Sequence, residues 1–489
     1  MKILRWATPI LAVIVIFGTS CKKDVLNTDG ALTFSVDTVL FDTVFTTIGS
    51  ATRQFKIYNP SNNEVNISSI MLAGGQQSKY RINVDGVAGI AFSNISIPGK
   101  DSLFVFVDVT LDPNNLLQPA IVTDSILFNT NGNIQDVDLV ACGWDAHFIY
   151  PTTPNGSLSR LGCDTIWTSN KPHVIYGWAV VGLADGGACS LTIEAGSRIY
   201  SHKGSGLIVD EDATLIVNGT PQNPVTFAGD RLDDFYEDQA GEWNSIWLFN
   251  GSVNNVIKGA IIKNGNIGVR VDTLSPGSPN PTLTISNTII ENMAGASLVS
   301  YSGTIDAYNC VFGNGGLNSV ALIAGGEYNF YHCTIGNYWV NGNRQTPALF
   351  MTNWIEFNDL IVTNDLNSDF GNCIVYGNNL NELGLDRNAS SAFNFEFDHC
   401  VMKLDFNAEE PIDITNPDEF KDVIYNEDPL FVDPSENNFE LDSAISSAFN
   451  AGDIGITNVD LSIMGMDVIG NFRPFGFGNP DIGAYERQE

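Results

Sequence analysis

Six carboxylates fall within one short stretch, at Asp230, Asp233, Asp234, Glu237, Asp238 and Glu242, with Phe235, Tyr236, Trp243 and Trp247 among or beside them. Carboxylates at this density could hold Ca²⁺, which takes roughly 6–8 oxygen ligands, although the spacing matches no EF-hand loop. Aromatic rings beside polar groups could instead stack on a sugar. The bland alternative is a solvated loop whose tryptophans pack on a scaffold. The set Asp230, Asp233, Asp234, Tyr236, Glu237, Asp238, Glu242 and Trp243 is therefore the expected ligand- or calcium-binding site. No residues elsewhere form a recognisable catalytic set.

The eight cysteines sort by position. Cys310, Cys333, Cys373 and Cys400 share one phase of an internal repeat and are expected to be small buried residues of an interior ladder. Their gaps exceed the short Cys-x₂₋₄-Cys spacing of zinc sites. Cys142, Cys163 and Cys189 sit near a domain junction. One disulfide there, with Cys163–Cys189 the favoured pairing, would suit an exported protein. Cys21 is set apart by what precedes it.

That context is an export signal. Met1-Lys2-Ile-Leu-Arg5 is basic, Ala7 to Phe17 is apolar, and Gly18-Thr19-Ser20 leads into Cys21. A run this short followed by small residues reads as a secretory signal, not a spanning helix. The ending resembles a bacterial lipoprotein signal, which implies that Cys21 is lipidated and that residues 1–20 are removed. Gly18 stands where such signals usually carry a Leu-like residue. Lys22-Lys23-Asp24 resembles, with one acid in place of several, the signal that sends lipoproteins to the cell surface in one Gram-negative phylum. The implied location is the outer membrane, with surface exposure as an extension. Asp-Ser/Thr-aliphatic (or Ala) triplets beginning at Asp37, Asp42, Asp101, Asp124, Asp164, Asp272 and Asp442 resemble the O-glycosylation acceptor of the same group. They are also common strand-edge sequence.

The elements that must position these residues are legible in the repeat. Between about residues 258 and 404 one phrase recurs: Ala260-Ile-Ile-Lys-Asn264, Asn287-Thr-Ile-Ile-Glu-Asn292, Asn309-Cys-Val-Phe-Gly-Asn314, His332-Cys-Thr-Ile-Gly-Asn337, Asn372-Cys-Ile-Val-Tyr-Gly-Asn378 and His399-Cys-Val-Met. The period is mostly about 22 to 28 residues, that of one solenoid coil. Strand triplets recurring once per coil predict parallel strands stacked coil on coil. Asn264, Asn292, Asn314 and Asn337 should then form a column at a turn, able to hydrogen-bond along the stack. Glu291 is expected to face solvent. Residues 357–369 stretch one coil to about 40 residues, and such an excursion is a place where function can sit. Residues 441–485 are expected to cap the end of the stack.

Upstream, residues 31–148 read as a separate all-β domain. Alternating runs such as Gln54-Phe-Lys-Ile-Tyr58 and Ser102 to Val109, with turns at Asn59-Pro60 and Asp112-Pro113, predict a β-sandwich. The segments FDTVFTTIGSATRQFKIYNPSNNEVNISSI and IPGKDSLFVFVDV resemble immunoglobulin-like domains of the abnormal-spindle and hydin class, which implies a spacer or protein contact. A tether, residues 21–30, precedes it. Residues 149–489, through TIEAGSRIY, LIVNGTPQNPVTF, IKNGNIGV and the tail PDIGAYERQE, resemble right-handed parallel β-helix lipoproteins of the pectate-lyase-like superfold.

Enzymes of that superfold use a Ca²⁺-holding carboxylate cluster with an Arg or Lys base, or Asp clusters with Gly-His-Gly and Arg-x-Lys. This chain lacks the latter two segments. The formal charge of −33, with only 23 Lys plus Arg, argues against nucleic acid and against docking on anionic lipid. The expected protein is thus an all-β envelope lipoprotein, an immunoglobulin-like sandwich followed by a right-handed parallel β-helix. Its expected role is non-catalytic, presenting an elongated surface to glycan or to another envelope protein, with membrane contact through the lipid. The alternative is a polysaccharide lyase or glycoside hydrolase.

Overall fold

The computed structural model describes residues 31–113, 115–153, 156–273, 281–474 and 478–488. The expected signal, Cys21 and the tether lie outside the described residues, as does part of the Pro-Gly join. The chain divides into two compact units, residues 1–144 and 145–489.

The first unit is a β-sandwich. One five-stranded sheet runs in the order Thr33–Phe34, Arg53–Tyr58, Ser102–Val109, Tyr80–Val84 and Val87–Gly89. The other runs Thr38–Phe45, Asn133–Trp144, Ala120–Thr130, Val65–Leu72 and Ala91–Ile97. Pairing is antiparallel except between Thr38–Phe45 and Asn133–Trp144. Period-two alternation explains the layering: Leu103, Val105, Val107 and Val109 face inward with Phe55, Ile67, Phe128 and Leu139, while Phe104 points out.

The second unit is a right-handed parallel β-helix. Three sheets of eleven, nine and ten parallel strands form its walls. Strand Ala260–Lys263, for example, belongs to the first sheet, Ile267–Asp272 to the second and Leu283–Ser286 to the third. The solenoid starts earlier than the sequence boundary at 148 implied, because His147–Ile149 already pairs in parallel with His173–Ile175. Ile, Val, Leu and Phe fill the interior, and the rings of Phe330, Phe370 and Phe397 stack on successive coils at 5.1 and 4.7 Å. Cys310, Cys333, Cys373 and Cys400 are fully buried in one column. A disulfide joins Cys163 to Cys189 in the first coils.

The residue before each ladder cysteine explains the repeat. Asn309, His332, Asn372 and His399 all adopt left-handed backbone, with φ between 50° and 52°, and Asn287 in the equivalent place does so at 48°. This conformation turns the chain from the third sheet into the first. Asparagine tolerates it better than most non-glycine residues.

The same column holds the C-terminal segment. Asn287 Nδ2 donates to the Asp467 carbonyl at 3.0 Å, Asn309 Nδ2 to that of Ile463 at 2.8 Å, and Asn372 Nδ2 to that of Asp453 at 2.9 Å. His332 Nε2 meets Thr457 Oγ1 at 2.8 Å. Phe439 lies directly over Gly313 and Gly336, where any Cβ would collide with its ring. Those glycines are the penultimate residues of the repeated phrase. The described part of residues 441–485, expected to close the end of the stack, therefore runs back along its flank. Closure of the interior falls instead to Leu404, Ile412, Ile414 and Val423. The flank's polar hooks and small residues are satisfied only by a segment lying across several coils.

Candidate functional site

The acidic stretch connects first-sheet strand Val225–Gly229 to second-sheet strand Ile246–Leu248, with a 3₁₀ turn at Asp234–Tyr236. It is held by the asparagine column. Asn264, buried and left-handed, donates through Nδ2 to the Glu237 carbonyl at 2.6 Å and the Tyr236 carbonyl at 3.4 Å. Asn292 Nδ2 in turn donates to Asn264 Oδ1 at 2.8 Å. Further along, the expected asparagine-to-asparagine bonding stops, because Asn314 donates to Pro434 O and Asn437 Oδ1 and Asn337 to Gly315 O. The C-terminal segment has claimed Asn314.

The structure divides the eight sequence-selected residues. Tyr236, Glu237 and Glu242 line a hollow of about 260 Å³ together with Arg231, Lys263, Asn264 and Tyr200. The Arg231 guanidinium lies 3.6 Å from the centre of the Tyr236 ring, and its Nε is 3.8 Å from Asp233. Asp230 turns elsewhere, accepting from Tyr176 OH at 3.3 Å and lying 2.9 Å from His202 Nδ1. Trp243 does not face a ligand. It is 1% exposed, packs in the solenoid core and donates through Nε1 to the Lys263 carbonyl at 2.8 Å. An indole at this point of the coil fills interior volume, which overrides its position beside the acids. The side chain of Asp234 is outside the described set.

Nor do the loop's described carboxylates gather round a cation. Among the described residues, the group of three His, Cys, Asp or Glu ligand atoms close enough to share an ion is Asp398, His399 and Asp422. There Asp398 is already engaged by Lys421 Nζ at 2.6 Å and His399 Nδ1 at 2.6 Å. Two cations, Arg231 and Lys263, stand among the acids of the hollow, so its electrostatics suit a polar or anionic ligand better than Ca²⁺.

Sequence reasoning missed three features. Lys263, read as a repeat residue, faces outward from its strand and lines the hollow. Glu291, expected in solvent, is in register with Lys263 on the next coil and half-buried, and its carboxyl is raised to about 7 by burial, against the opposing pull of Lys263 and with a further push from Asp238. The C-terminal segment passes over this side of the coil, where burial raises the Tyr485 phenol and Glu291 adds to the rise. The third feature is an outward ladder, Tyr150–Tyr176–His202, stacked at 5.2 and 4.7 Å and ending on Asp230. Each of these rings follows a first-sheet strand by one residue, a phase the sequence carried but the motif search did not use.

Comparison with known proteins gives fold and little else. A family model described as a right handed beta helix region matches residues 167–335. No curated protein matches the chain. Among solved structures, a family 123 glycoside hydrolase from Clostridium perfringens is similar at 10% identity and TM-score 0.18, over 27% of this chain and 26% of that one. The periplasmic chaperone SfaE is similar at 12% identity and TM-score 0.17, over 23% and 57%. The Vibrio cholerae VesB protease is similar at 10% identity and TM-score 0.17, over 23% and 31%. The chain thus spans between about a quarter and three-fifths of the length of these structures.

Proposed function

We propose that this protein is an outer-membrane lipoprotein, anchored through Cys21, whose β-helix binds a glycan without turning it over. The observation that carries this reading is the hollow walled by Arg231, Tyr236, Glu237, Glu242 and Lys263, between the acidic loop and a solenoid whose interior is apolar. Guanidinium, ammonium and carboxylate groups around one aromatic ring offer the mixed donors and acceptors that hydroxyl-rich ligands use. Arg231 and Lys263 favour sugars that carry a carboxylate or sulfate, within an acidic protein that would repel such chains elsewhere. The immunoglobulin-like reading of the sandwich makes that domain a spacer.

The test is retention of purified protein on an array of neutral and acidic glycans. Binding that is lost in Tyr236→Ala and Lys263→Gln, with thermal unfolding preserved, supports the proposal. An array with no retained glycan overturns it.

One observation favours a second reading, a polysaccharide lyase or hydrolase. Glu291, in register with Lys263 on the next coil, has its carboxyl raised to about 7 by burial, into the range a general acid needs. Release of unsaturated or reducing ends, abolished in Glu291→Gln, would replace the first reading with this one.

A further inference from the structure

A second hollow, of about 460 Å³, lies where the C-terminal segment passes the corner at Gly219–Gln222. Its volume falls in the range of small-molecule sites, about 300–1,000 Å³. One wall comes from the solenoid, through Pro221 and Lys258. The other comes from the short helix Leu461–Met464 and the bend beyond it, through Leu461, Ile463, Met466 and Phe472. Leu461, Met466 and Phe472 are 45%, 42% and 64% exposed although they converge on one space. Scattered apolar residues on a surface need no explanation, but several large ones around one concavity mark a binding site. Leaving such area wet costs roughly 25 cal/mol per Å².

The polar groups of the hollow narrow the ligand. Asn287 is occupied by the Asp467 carbonyl. Asp460, which caps the N-terminus of that helix, is turned back onto Ser462, accepting from its N–H at 3.0 Å and its hydroxyl at 2.5 Å. Lys258 is exposed and lines the rim, the one cation among the described residues that line this hollow. In a chain of net charge −33, an ammonium beside an apolar cleft selects the sign of what enters.

We propose that this hollow binds a small amphiphile, an acyl or aromatic body seated on Leu461, Ile463, Met466 and Phe472 with a carboxylate at Lys258. The site is independent of the glycan hollow, sharing no residue with it.

The test is titration of the full chain with 11-(dansylamino)undecanoate, read by dansyl fluorescence. Saturable one-to-one enhancement is expected, displaced by decanoate and at least tenfold less well by decanol. Lys258→Gln should weaken the probe about tenfold, and Met466→Glu should abolish binding while Tyr236→Ala leaves it unchanged. Thermal unfolding of each variant separates loss of the site from loss of the fold, and Phe472→Ser, at the most exposed wall, is the variant to use if Met466→Glu unfolds. Non-saturable enhancement, equal displacement by decanol, or unchanged binding in both Lys258→Gln and the apolar-wall variant would overturn the proposal. Displacement only by an apolar peptide would assign the hollow to a protein segment and overturn it as well.

Discussion

Among the stretches that leave the solenoid, the acidic loop at 230–242 and a hairpin formed by Trp354–Phe357 and Leu360–Thr363 make an instructive pair. Both are secured by buried or half-buried asparagines, yet the clamp acts at different places. Asn264 reaches the middle of the loop, at the Tyr236 and Glu237 carbonyls. Asn353 and Asn364 hold only the root of the hairpin: Asn353 donates to Asn388 and Ser391, and Asn364 to Ser302 and Ala324. The hairpin turn, Asn358-Asp359, has φ of 51° and 62° at its two central residues, the geometry of a tight two-residue connection. Its tip therefore projects, with Phe357, Leu360 and Ile361 exposed. A clamp at mid-loop folds side chains back toward the coil and makes a hollow. A clamp at the root makes a protrusion.

The comparison can be broken most forcefully at Trp243. Removing this core indole by Trp243→Ala should cost about 3–5 kcal/mol, whereas Tyr236→Ala in the same loop should stay within about 1 kcal/mol; urea unfolding distinguishes them. If the two cost the same, the division of the loop into core and ligand residues fails. Asn264→Ala should come next, at about 2 kcal/mol, since it strands the Glu237 carbonyl and puts alanine in left-handed backbone. Amide exchange should accelerate across residues 233–240 and leave the hairpin untouched.

A pH effect sharpens the comparison, because Glu291, a half-buried carboxyl, stands beside the loop in register with Lys263. Glu291 is raised to about 7 in the folded protein, above the usual carboxylate value, so between those values the folded state holds more protons than the unfolded one. Stability from this group is present below its unfolded pKa and is lost as pH rises through about 7. Glu486, also raised to about 7 by burial beside Asp481, acts in the same direction. Urea midpoints should therefore rise from pH 8 to about pH 6.5, below which His173 and His332, kept neutral by burial in the folded protein, oppose any further gain, and Glu291→Gln should flatten part of that rise. The smallest effect belongs to the hairpin tip. Phe357→Ser and Ile361→Thr should each change stability by no more than about 0.5 kcal/mol, read as an unchanged melting temperature.

The fold was legible because the repeat encodes it directly. The cysteine phase and the left-handed Asn or His before it mark one corner of the coils from Asn309 to His399, and periodicity suffices to find both. The site was half legible. Composition located the loop, but the fates of Asp230 and Trp243 depend on which way each residue leaves its strand, and density of charge carries no direction. Lys263 and Glu291 were hidden by belonging to the repeat: a residue that recurs reads as scaffold, and only the three-dimensional stack shows that one coil's scaffold is the next loop's wall. The course of residues 441–485 was illegible for a related reason. Nothing local in that segment announces that its carbonyls answer Asn287, Asn309 and Asn372, residues far upstream.

That return path changes how the stack can come apart. Solenoid coils ordinarily contact only their neighbours, so they can fray one at a time from an end. Here a single late stretch of chain is bonded to the coils of Asn287, Asn309, His332 and Asn372 together. Peeling the last coils away must first detach this belt, and detaching it bares hooks on rungs well inside the array. The middle of the β-helix is thereby made to open as one body, and it reaches its final strength only once this later stretch has come back to lie beside coils made long before it.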